Sequence, residues 1–339
     1  MLNEYLARVV EREDLSEEEA HRAMNHIMSG EALPTQIAAF LTALRMKGET
    51  WGEITGLARA MRSKAIAIQP PDGEPVVDTC GTGGDHLGTF NISTAVAFAA
   101  AGGGLTVAKH GNRSVSSRCG SADVLEALGV NIALSPHRVE ECLREIRMAF
   151  LFAPLFHPAM KYALGPRREI GIRTVFNLLG PLTNPAGARI QVLGVYRKEL
   201  LRPVAEVLRH LGSQAAWVVH GEDHCDEISI CGKTWVCQLQ GGEIRSFWIE
   251  PEMAGFRKAR LGEIQGGTAA ENAQILLRVL KGEKGPCRDV VLLNAAAVFS
   301  AAGKARDFQE GVERARESID SGKALAKLEE LRRYTPREA

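Results

Sequence analysis

The stretch VVDTCGTGGDHLGTFNISTAVAFAAAGGGLTVAKHGN, residues 76–112, holds a short β-branched strand, a glycine-rich turn, an alanine-rich helix and a second strand. Strands continue to alternate with helices further along, at VNIAL (130–134), IQVLGVY (190–196) and AAWVVHG (215–221). Alternation of this kind is typical of a largely parallel sheet covered by helices. We therefore predict an α/β fold with a mostly parallel central sheet for the larger part of the chain.

The first 71 residues predict helices only. Ser16 and Glu19 form a capping box, and apolar residues recur at helical spacing over 20–28. A turn-rich linker, QPPDGEP at 69–75, ends this part of the chain. We predict a small helical bundle over residues 1–71, completed by about 137–178, and a larger α/β domain over residues 72–136 and 179–339.

The composition limits the class of partner. The 339 residues include 41 Lys and Arg against 41 Asp and Glu, and 45% are hydrophobic, which excludes a disordered or fibrous chain. Zero formal net charge provides no general field for a nucleic-acid backbone or an anionic membrane. The start, MLNEYLARVVER, does not have the pattern of a signal peptide, and no apolar run reaches about 18 residues. We expect a cytoplasmic protein with neither a nucleic-acid nor a membrane partner.

The turn after the first strand, DTCGTGGD at 78–85, has the character of an anion site. Its three glycines let the backbone approach an oxyanion closely and direct amide N–H groups toward it. The segment TFNIST at 89–94 then caps a helix, whose N-terminus favours the same anion. This suits a phosphate or pyrophosphate, although an ordinary tight turn and helix cap explain the same residues.

The second strand ends in a basic, hydroxyl-rich loop, KHGNRSVSS at 109–117. Ligands in open α/β sheets bind at the carboxyl ends of strands, so this loop and the glycine turn are expected to face one crevice. Together they suit a polyphosphate. His110 is a candidate acid or base by its location alone, and a solvated basic turn is the alternative for the whole loop.

A third loop, HGEDHCDE at 220–227, follows the strand AAWVV and carries four carboxylates. Oxygen ligands beside phosphate-binding loops suit Mg²⁺, which keeps several waters and bridges carboxylates to substrate phosphates. Asp226 and Glu227 are the best-placed ligands, and a solvated acidic loop is the alternative.

Three arginines, Arg167, Arg168 and Arg173, precede the loop FNLLGPLTNPA at 176–186. An arginine fork there suits a carboxylate held by two parallel hydrogen bonds. The sequence alone does not indicate which of the three arginines would bind it. His157, in an apolar segment, either lines the same pocket or is a core histidine.

Read together, GTGGD, NIST, KHGNRSVSS, GSADVLEALG, FNLLGPLTNPA and the Asp226–Glu227 pair resemble the anthranilate phosphoribosyltransferase family of tryptophan biosynthesis. The resemblance covers nearly the whole chain. It implies a helical domain and an α/β domain of the nucleoside phosphorylase/phosphoribosyltransferase type, usually in a homodimer formed through the helical domain. The implied reaction moves the phosphoribosyl group of phosphoribosyl pyrophosphate (PRPP) to the amine of anthranilate and releases pyrophosphate.

The resemblance also implies residue roles. Lys109, Asp226 and Glu227 would be catalytic, and two Mg²⁺ ions would be bound, one by Ser93 and Glu227 and one by Asp226 and Glu227. Anthranilate would be bound by Gly81, Asn112 and Arg167. The residues implied to bind PRPP are Gly81, Gly84, Asp85, Thr89, Asn91, Ile92, Ser93, Thr94, Lys109, His110, Gly111, Asn112, Arg113, Ser114, Val115, Ser116, Ser117 and Ser121.

The chemistry is consistent with these roles. PRPP is densely anionic, so cations and backbone amides are needed to bind it and to stabilise the departing pyrophosphate. An aromatic amine is already neutral at pH 7 and needs positioning more than a strong base. We expect a dissociative displacement. A pyrimidine nucleoside phosphorylase and a relative that binds nucleic acid through a basic groove are the alternatives that this expectation must be tested against.

Overall fold

The computed structural model describes residues 1–71, 73, 75–114 and 118–336. Its first body is a helical bundle whose amphipathic helices bury apolar faces against one another. These helices are α1 (Leu2–Val10), α2 (Glu17–Met28), α3 (Pro34–Lys47) and α4 (Trp51–Lys64). The Ser16–Glu19 capping box predicted from the sequence begins α2.

The second body is built on a seven-stranded sheet with the order β3-β2-β1-β4-β5-β6-β7. Its strands are β1 (Val77–Gly81), β2 (Val107–Gly111), β3 (Met148–Phe152), β4 (Ile190–Gly194), β5 (Ala215–Gly221), β6 (Thr234–Gln240) and β7 (Glu243–Ile249). The first five strands are parallel, and β6 and β7 add antiparallel pairs at one edge. The predicted α/β fold with a mostly parallel sheet is confirmed.

Helices cover both faces of the sheet or continue the bundle. They are α5 (Ile92–Gly102), α6 (Ser121–Ala127), α7 (Pro136–Ile146), α8 (Ala153–Phe156), α9 (Lys161–Ile170), α10 (Phe176–Leu182), α11 (Leu201–His210), α12 (Ala269–Leu280), α13 (Pro286–Ala301), α14 (Phe308–Asp320) and α15 (Lys323–Tyr334). Four short 3₁₀ turns lie at Pro158–Met160, Lys198–Leu200, Pro251–Ala254 and Leu261–Ile264. Among the described residues, no helix has the length and apolar character needed to cross a membrane.

Alternate residues of β5 belong to two different cores. Trp217 and Val219 belong to the core that includes α13, which packs on β5, whereas Ala216 and Val218 belong to the core that includes α11. This alternation follows from the pleat, which points successive side chains to opposite faces. Because α11 also packs on α4, the second core continues from the sheet into the helical bundle.

The segment between the two bodies differs from the expectation. α9 packs on α2 and α3, and α10 packs on α4, as expected for residues that complete the bundle. However, α7 and β3, which span residues 136–152, belong to the sheet body. The helical spacing of α7 predicts a buried face, but it does not say which body buries that face.

The prediction of a strand at VNIAL, residues 130–134, is wrong. This segment has no regular structure, because the backbone N–H of Asn131 donates to the carbonyl of Thr335 and the N–H of Ala133 donates to the side chain of Asn131. The strand that occupies the sheet edge is instead β3, whose backbone pairs with β2.

Candidate active site

The glycine turn after β1 folds onto the loop after β5. The backbone N–H of Gly83 donates to Oδ2 of Asp226 at 2.7 Å, and a side chain at Gly81 would meet the same carboxylate. Gly83 and Gly84 have φ values of +67° and +80°, which glycine adopts without strain. The turn is thus held by a carboxylate that lies more than 140 residues away in the sequence.

Lys109 lies in the middle of β2, next to β1, with 2% of its surface exposed. Its ammonium donates to the carbonyl of Thr79 and, at 3.2 Å, to Oγ of Ser93 at the start of α5. Glu227 accepts a hydrogen bond from the backbone of Ser93 and interacts electrostatically with Lys109. The structure therefore brings Ser93, Lys109 and Glu227 together.

Burial and neighbouring carboxylates raise the pKa values of Asp226 and Glu227. Burial, the charge of Asp85 and a hydrogen bond with it raise the pKa of Asp226 to about 7. Burial and the charge of Asp226 raise the pKa of Glu227 well above its usual value, although Lys109 opposes the change. Such a pair is costly to ionise without a nearby cation.

The donor set of this crowded pair fits Mg²⁺. It consists of the Asp226 and Glu227 carboxylates and the Ser93 hydroxyl, which are hard oxygen ligands. Within the described ranges, no three side chains of His, Cys, Asp or Glu form a complete metal cage. An incomplete oxygen set leaves room for water and phosphate oxygens around Mg²⁺.

The loop after β2 is held against α6. Asp123 accepts hydrogen bonds from the backbone of Gly120 at 2.8 Å and of Ser114 at 3.2 Å, and the hydroxyl of Ser121 donates to the carbonyl of Asn112. Gly111 ends β2 beside Ser121. These contacts keep Asn112, Ser114 and Ser121 close together beside the start of α6. Val115, Ser116 and Ser117 lie outside the described residues.

Arg113 points away from the crevice. Its guanidinium pairs with the carboxylates of Asp123 and Glu126 and lies 5.6 Å from the ring of Phe152. Its charge is thereby satisfied within the protein.

Asn91 and its neighbours form the N-terminal end of α5. Oδ1 of Asn91 accepts a hydrogen bond from Asn272 at 2.9 Å, while its amide donates to the carbonyl of Cys119. Ile92 and Thr94 are buried, and Thr89 pairs with Gln265 in an isolated β-bridge. Asn91 is thus held by protein partners, and Ser93 is the residue of this helix end that reaches Lys109.

Arg167 rests on the face of Phe176, with 4.8 Å between the guanidinium carbon and the ring centroid. Burial lowers the pKa of Arg167. No ion pair joins it to a carboxylate among the described residues. A half-buried arginine in this state is suited to bind the carboxylate of a ligand.

His110 faces away from the glycine turn, toward the segment that contains α10. Its ring lies 5.1 Å from that of His157 and hydrogen-bonds to the backbone of Gly180. Burial lowers the pKa of His110 to about 3 and that of His157 to about 4. Both rings are therefore neutral at pH 7.

Replacing His157 with Gln should change how stability depends on pH. An unfolded histidine has a pKa near ~6.5, so between pH 4 and 6.5 the unfolded chain binds a proton that the native His157 does not. This contribution to stability is complete above pH 6.5 and is lost as the pH falls. The stability difference between the native protein and His157→Gln should shift by about 2 kcal/mol between pH 7 and 5.

Urea unfolding of both proteins at pH 5, 6, 7 and 8 measures this shift. The difference should stay constant between pH 7 and 8, where the imidazole is neutral in both states. Buried Asp78, whose pKa burial raises to about 6, contributes with the opposite sign, but it does so in both proteins and cancels. A difference that does not change with pH would contradict the buried neutral ring.

Two asparagines that carry no recognised motif fix the strands and loops around the site by hydrogen bonds. Asn184 donates to Oδ2 of buried Asp78 and to the carbonyl of Ala108, which ties β1 to β2. Asn294 on α13 accepts from and donates to the backbone of Ile228, next to Glu227. A polar residue within an otherwise apolar stretch, such as Asn294 in VLLNAAAVF, is the signal that could have found them.

The fold and the site define a glycosyltransferase of two bodies, with anion-binding turns at the carboxyl ends of parallel strands. Residues 3–65 match the helical bundle domain of the glycosyl transferase family, and residues 73–325 match its a/b domain. The anthranilate phosphoribosyltransferase of Moorella thermoacetica is 58% identical over 332 residues, which cover 98% of this chain and 97% of the relative.

Solved structures agree with this relationship. The anthranilate phosphoribosyltransferase of Thermus thermophilus has a TM-score of 0.92 and 47% identity, over 97% of this chain and 98% of that one. The Saccharomyces cerevisiae enzyme in complex with PRPP and Mg has a TM-score of 0.91 and 31% identity, over 98% and 97% of the two chains. The yeast enzyme has also been solved with 4-fluoroanthranilate.

This chain belongs to the anthranilate phosphoribosyltransferase family. It is an enzyme of tryptophan biosynthesis that transfers the phosphoribosyl group of PRPP to the amine of anthranilate and releases pyrophosphate.

Proposed function

We propose that the crevice between the glycine turn, the start of α5 and the loop after β5 binds PRPP with two Mg²⁺ ions. The observation that carries this proposal is the convergence of Asp226 on the Gly83 amide and of Glu227 on Ser93 and Lys109. Ser93 and Glu227 would hold one ion, and Asp226 and Glu227 the other. The bound ions would neutralise the pyrophosphate and so stabilise its departure.

Protein groups would bind and position the substrates. Amides of the glycine turn beyond Gly83 would face the pyrophosphate, and Lys109 fixes the Ser93 hydroxyl while adding a positive charge near the leaving group. Asn91, Asn112, Ser114 and the loop through residue 117 would surround the 5-phosphate and ribose. Anthranilate then attacks opposite the leaving group in a dissociative displacement, and no nucleophilic side chain is required.

The proposed anthranilate site lies at Gly81, Asn112 and Arg167. The absence of a side chain at Gly81 lets the Asp226 carboxylate pack directly against the backbone there, and Gly81 would lie between the two substrates. Arg167 would take the anthranilate carboxylate, which compensates for the partial desolvation of its guanidinium.

Replacing Arg167 with Ala should raise the KM for anthranilate by about 10- to 100-fold, the expected effect of losing a charge-assisted pair. The KM for PRPP should change little. Steady-state kinetics with each substrate varied in turn tests this, with Arg168→Ala as the control because Arg168 is exposed on the same helix. Equal increases in both KM values would refute the assignment.

A homodimer formed through the helical domain is part of the proposal. The exposed apolar side chains of Val10, Leu33 and Met46 lie on this domain and suit an interface between copies of the chain. Light scattering coupled to gel filtration tests the expected mass of twice 36.8 kDa. The cytoplasmic location expected from the sequence stays a prediction.

The decisive experiment follows the loss of anthranilate fluorescence when PRPP and Mg²⁺ are added to the purified protein. EDTA should abolish the loss. Thymidine with phosphate, in place of PRPP and anthranilate, should give no turnover. Phosphorolysis of thymidine would instead favour the nucleoside phosphorylase, and salt-sensitive DNA binding without PRPP turnover would favour the nucleic-acid-binding relative.

A further inference from the structure

Arg173 lies between α9 and α10 and reaches across to the glycine turn. Its guanidinium donates to the carbonyl oxygen of Gly84 and lies 2.7 Å from Nε2 of His86. No ion pair joins Arg173 to a carboxylate within the described part of the chain. Its hydrogen bonds are therefore committed to the turn.

Tyr196 provides the platform on which Arg173 rests. The guanidinium carbon of Arg173 lies 4.6 Å from the ring centroid of Tyr196, within the range of a cation–π contact. Tyr196 is 8% exposed and follows β4, and its backbone N–H donates to Oγ1 of Thr82 at 3.1 Å. The platform is thus anchored to the same turn that Arg173 contacts.

The glycine turn requires such outside support. Gly83, Gly84 and His86 all have positive φ, and this part of the turn pairs with no strand or helix. Its backbone groups must therefore find partners elsewhere. Asp226 takes the N–H of Gly83, and Arg173 takes the carbonyl of Gly84.

The first bond uses an N–H donor of the turn and the second a carbonyl acceptor, so the N–H groups left for an anion are those that follow Gly83. An anion site needs the N–H groups of the turn to point toward the ligand and the carbonyl oxygens to point away. By holding the carbonyl of Gly84, Arg173 keeps that oxygen from facing the pyrophosphate. A side chain at Gly84 would strike the guanidinium, so the close approach also requires glycine there.

We propose that Arg173 is a positioning residue that fixes the Gly83–His86 turn in the conformation that binds the pyrophosphate of PRPP. This inference rests on the proposed PRPP site. Since α9 packs on α2 and α3, Arg173 also ties the turn to the helical domain. Arg173 differs in this role from Arg167, which we assign to anthranilate.

The test compares Arg173→Lys and Arg173→Gln with Arg168→Gln as the matched control. Arg173→Lys keeps the charge but loses the planar fork, and Arg173→Gln keeps one donor but loses the charge. Both should raise the KM for PRPP and the inhibition constant of pyrophosphate about tenfold, the cost of one charge-assisted hydrogen bond. The KM for anthranilate and the thermal midpoint should stay close to those of Arg168→Gln.

A second variant separates positioning from charge. Tyr196→Leu removes the platform, so its effect on the KM for PRPP should match that of Arg173→Lys, and the double variant should be no worse than either single variant. Full activity in Arg173→Lys would show that charge alone matters and would overturn the proposal. Parallel increases in both KM values would also overturn it, because they indicate a general structural role.

Failure of the proposed function gives a different pattern. In that case the native protein neither turns over PRPP nor binds pyrophosphate in the presence of Mg²⁺, as measured by titration calorimetry. Native turnover of PRPP with Arg173 variants that behave like Arg168→Gln would refute the positioning role alone.

Discussion

Replacing Glu227 with Gln should lower kcat/KM by about 10³-fold at saturating Mg²⁺ while leaving the fold as stable as before. The amide keeps the size of the carboxylate but removes its charge. Glu227 is the residue proposed to hold both ions, so its loss should remove most of the leaving-group stabilisation. The Mg²⁺ concentration that gives half-maximal activity should rise in the same variant.

Stability provides an independent readout for this variant. Burial and the charge of Asp226 raise the pKa of Glu227, so the ionised form destabilises the metal-free fold. Metal-free Glu227→Gln should therefore unfold at the same or a higher urea concentration than the native protein. Glu222→Gln is the control, since Glu222 is exposed on the same loop. Loss of activity together with loss of stability would point to a structural carboxylate instead of a metal ligand.

Replacing Lys109 with Met should lower kcat/KM by about 10²-fold or more and also destabilise the protein. Methionine fills much of the space of the lysine stem but leaves Asp78 without the positive charge that lowers its pKa. Removing one member of a buried charge pair typically costs about 3 kcal/mol. Urea unfolding at pH 7 measures this cost, and the fluorescence assay measures the loss of activity.

The pH dependence of the destabilisation by Lys109→Met shows whether ionised Asp78 causes it. The pKa of Asp78 is raised to about 6, so at pH 5 this carboxyl is largely protonated and the destabilisation should be smaller than at pH 7. The double variant Lys109→Met/Asp78→Asn should recover stability at pH 7 without recovering activity. Recovery of both would show that Lys109 serves the fold alone.

The sequence predicted the glycine turn well because its signal is local. Three glycines after a β-branched strand indicate a turn, and the structure has the turn at these residues. The capping box predicted at Ser16 likewise begins a helix in the structure, since a cap involves residues only three apart. The family resemblance added the substrates and the reaction, which no local pattern contains.

The apolar pattern was a weaker guide to secondary structure, because it does not identify the element against which a segment packs or pairs. VNIAL has the composition of a strand, but it pairs with no strand among the described residues, and MAFLF at β3 forms the sheet edge. In the same way, no local pattern indicated that Arg113 pairs with Asp123 and Glu126, and its role in binding PRPP stays a prediction. A side chain's direction depends on what surrounds it in space.

By itself, the sequence determined the class of the protein: an α/β body preceded by helices, with anion-binding turns and a carboxylate pair in a fixed order along the chain. Only the tertiary structure decided which of these features meet. The sheet order places β1 between β2 and β4, with β5 beside β4, so Thr79 in β1 contacts Lys109 and the turn after β1 contacts Asp226. Turn and capping signals act over a few residues, whereas a site built from residues 83, 93, 109, 173 and 226 exists only once strands distant in sequence have paired.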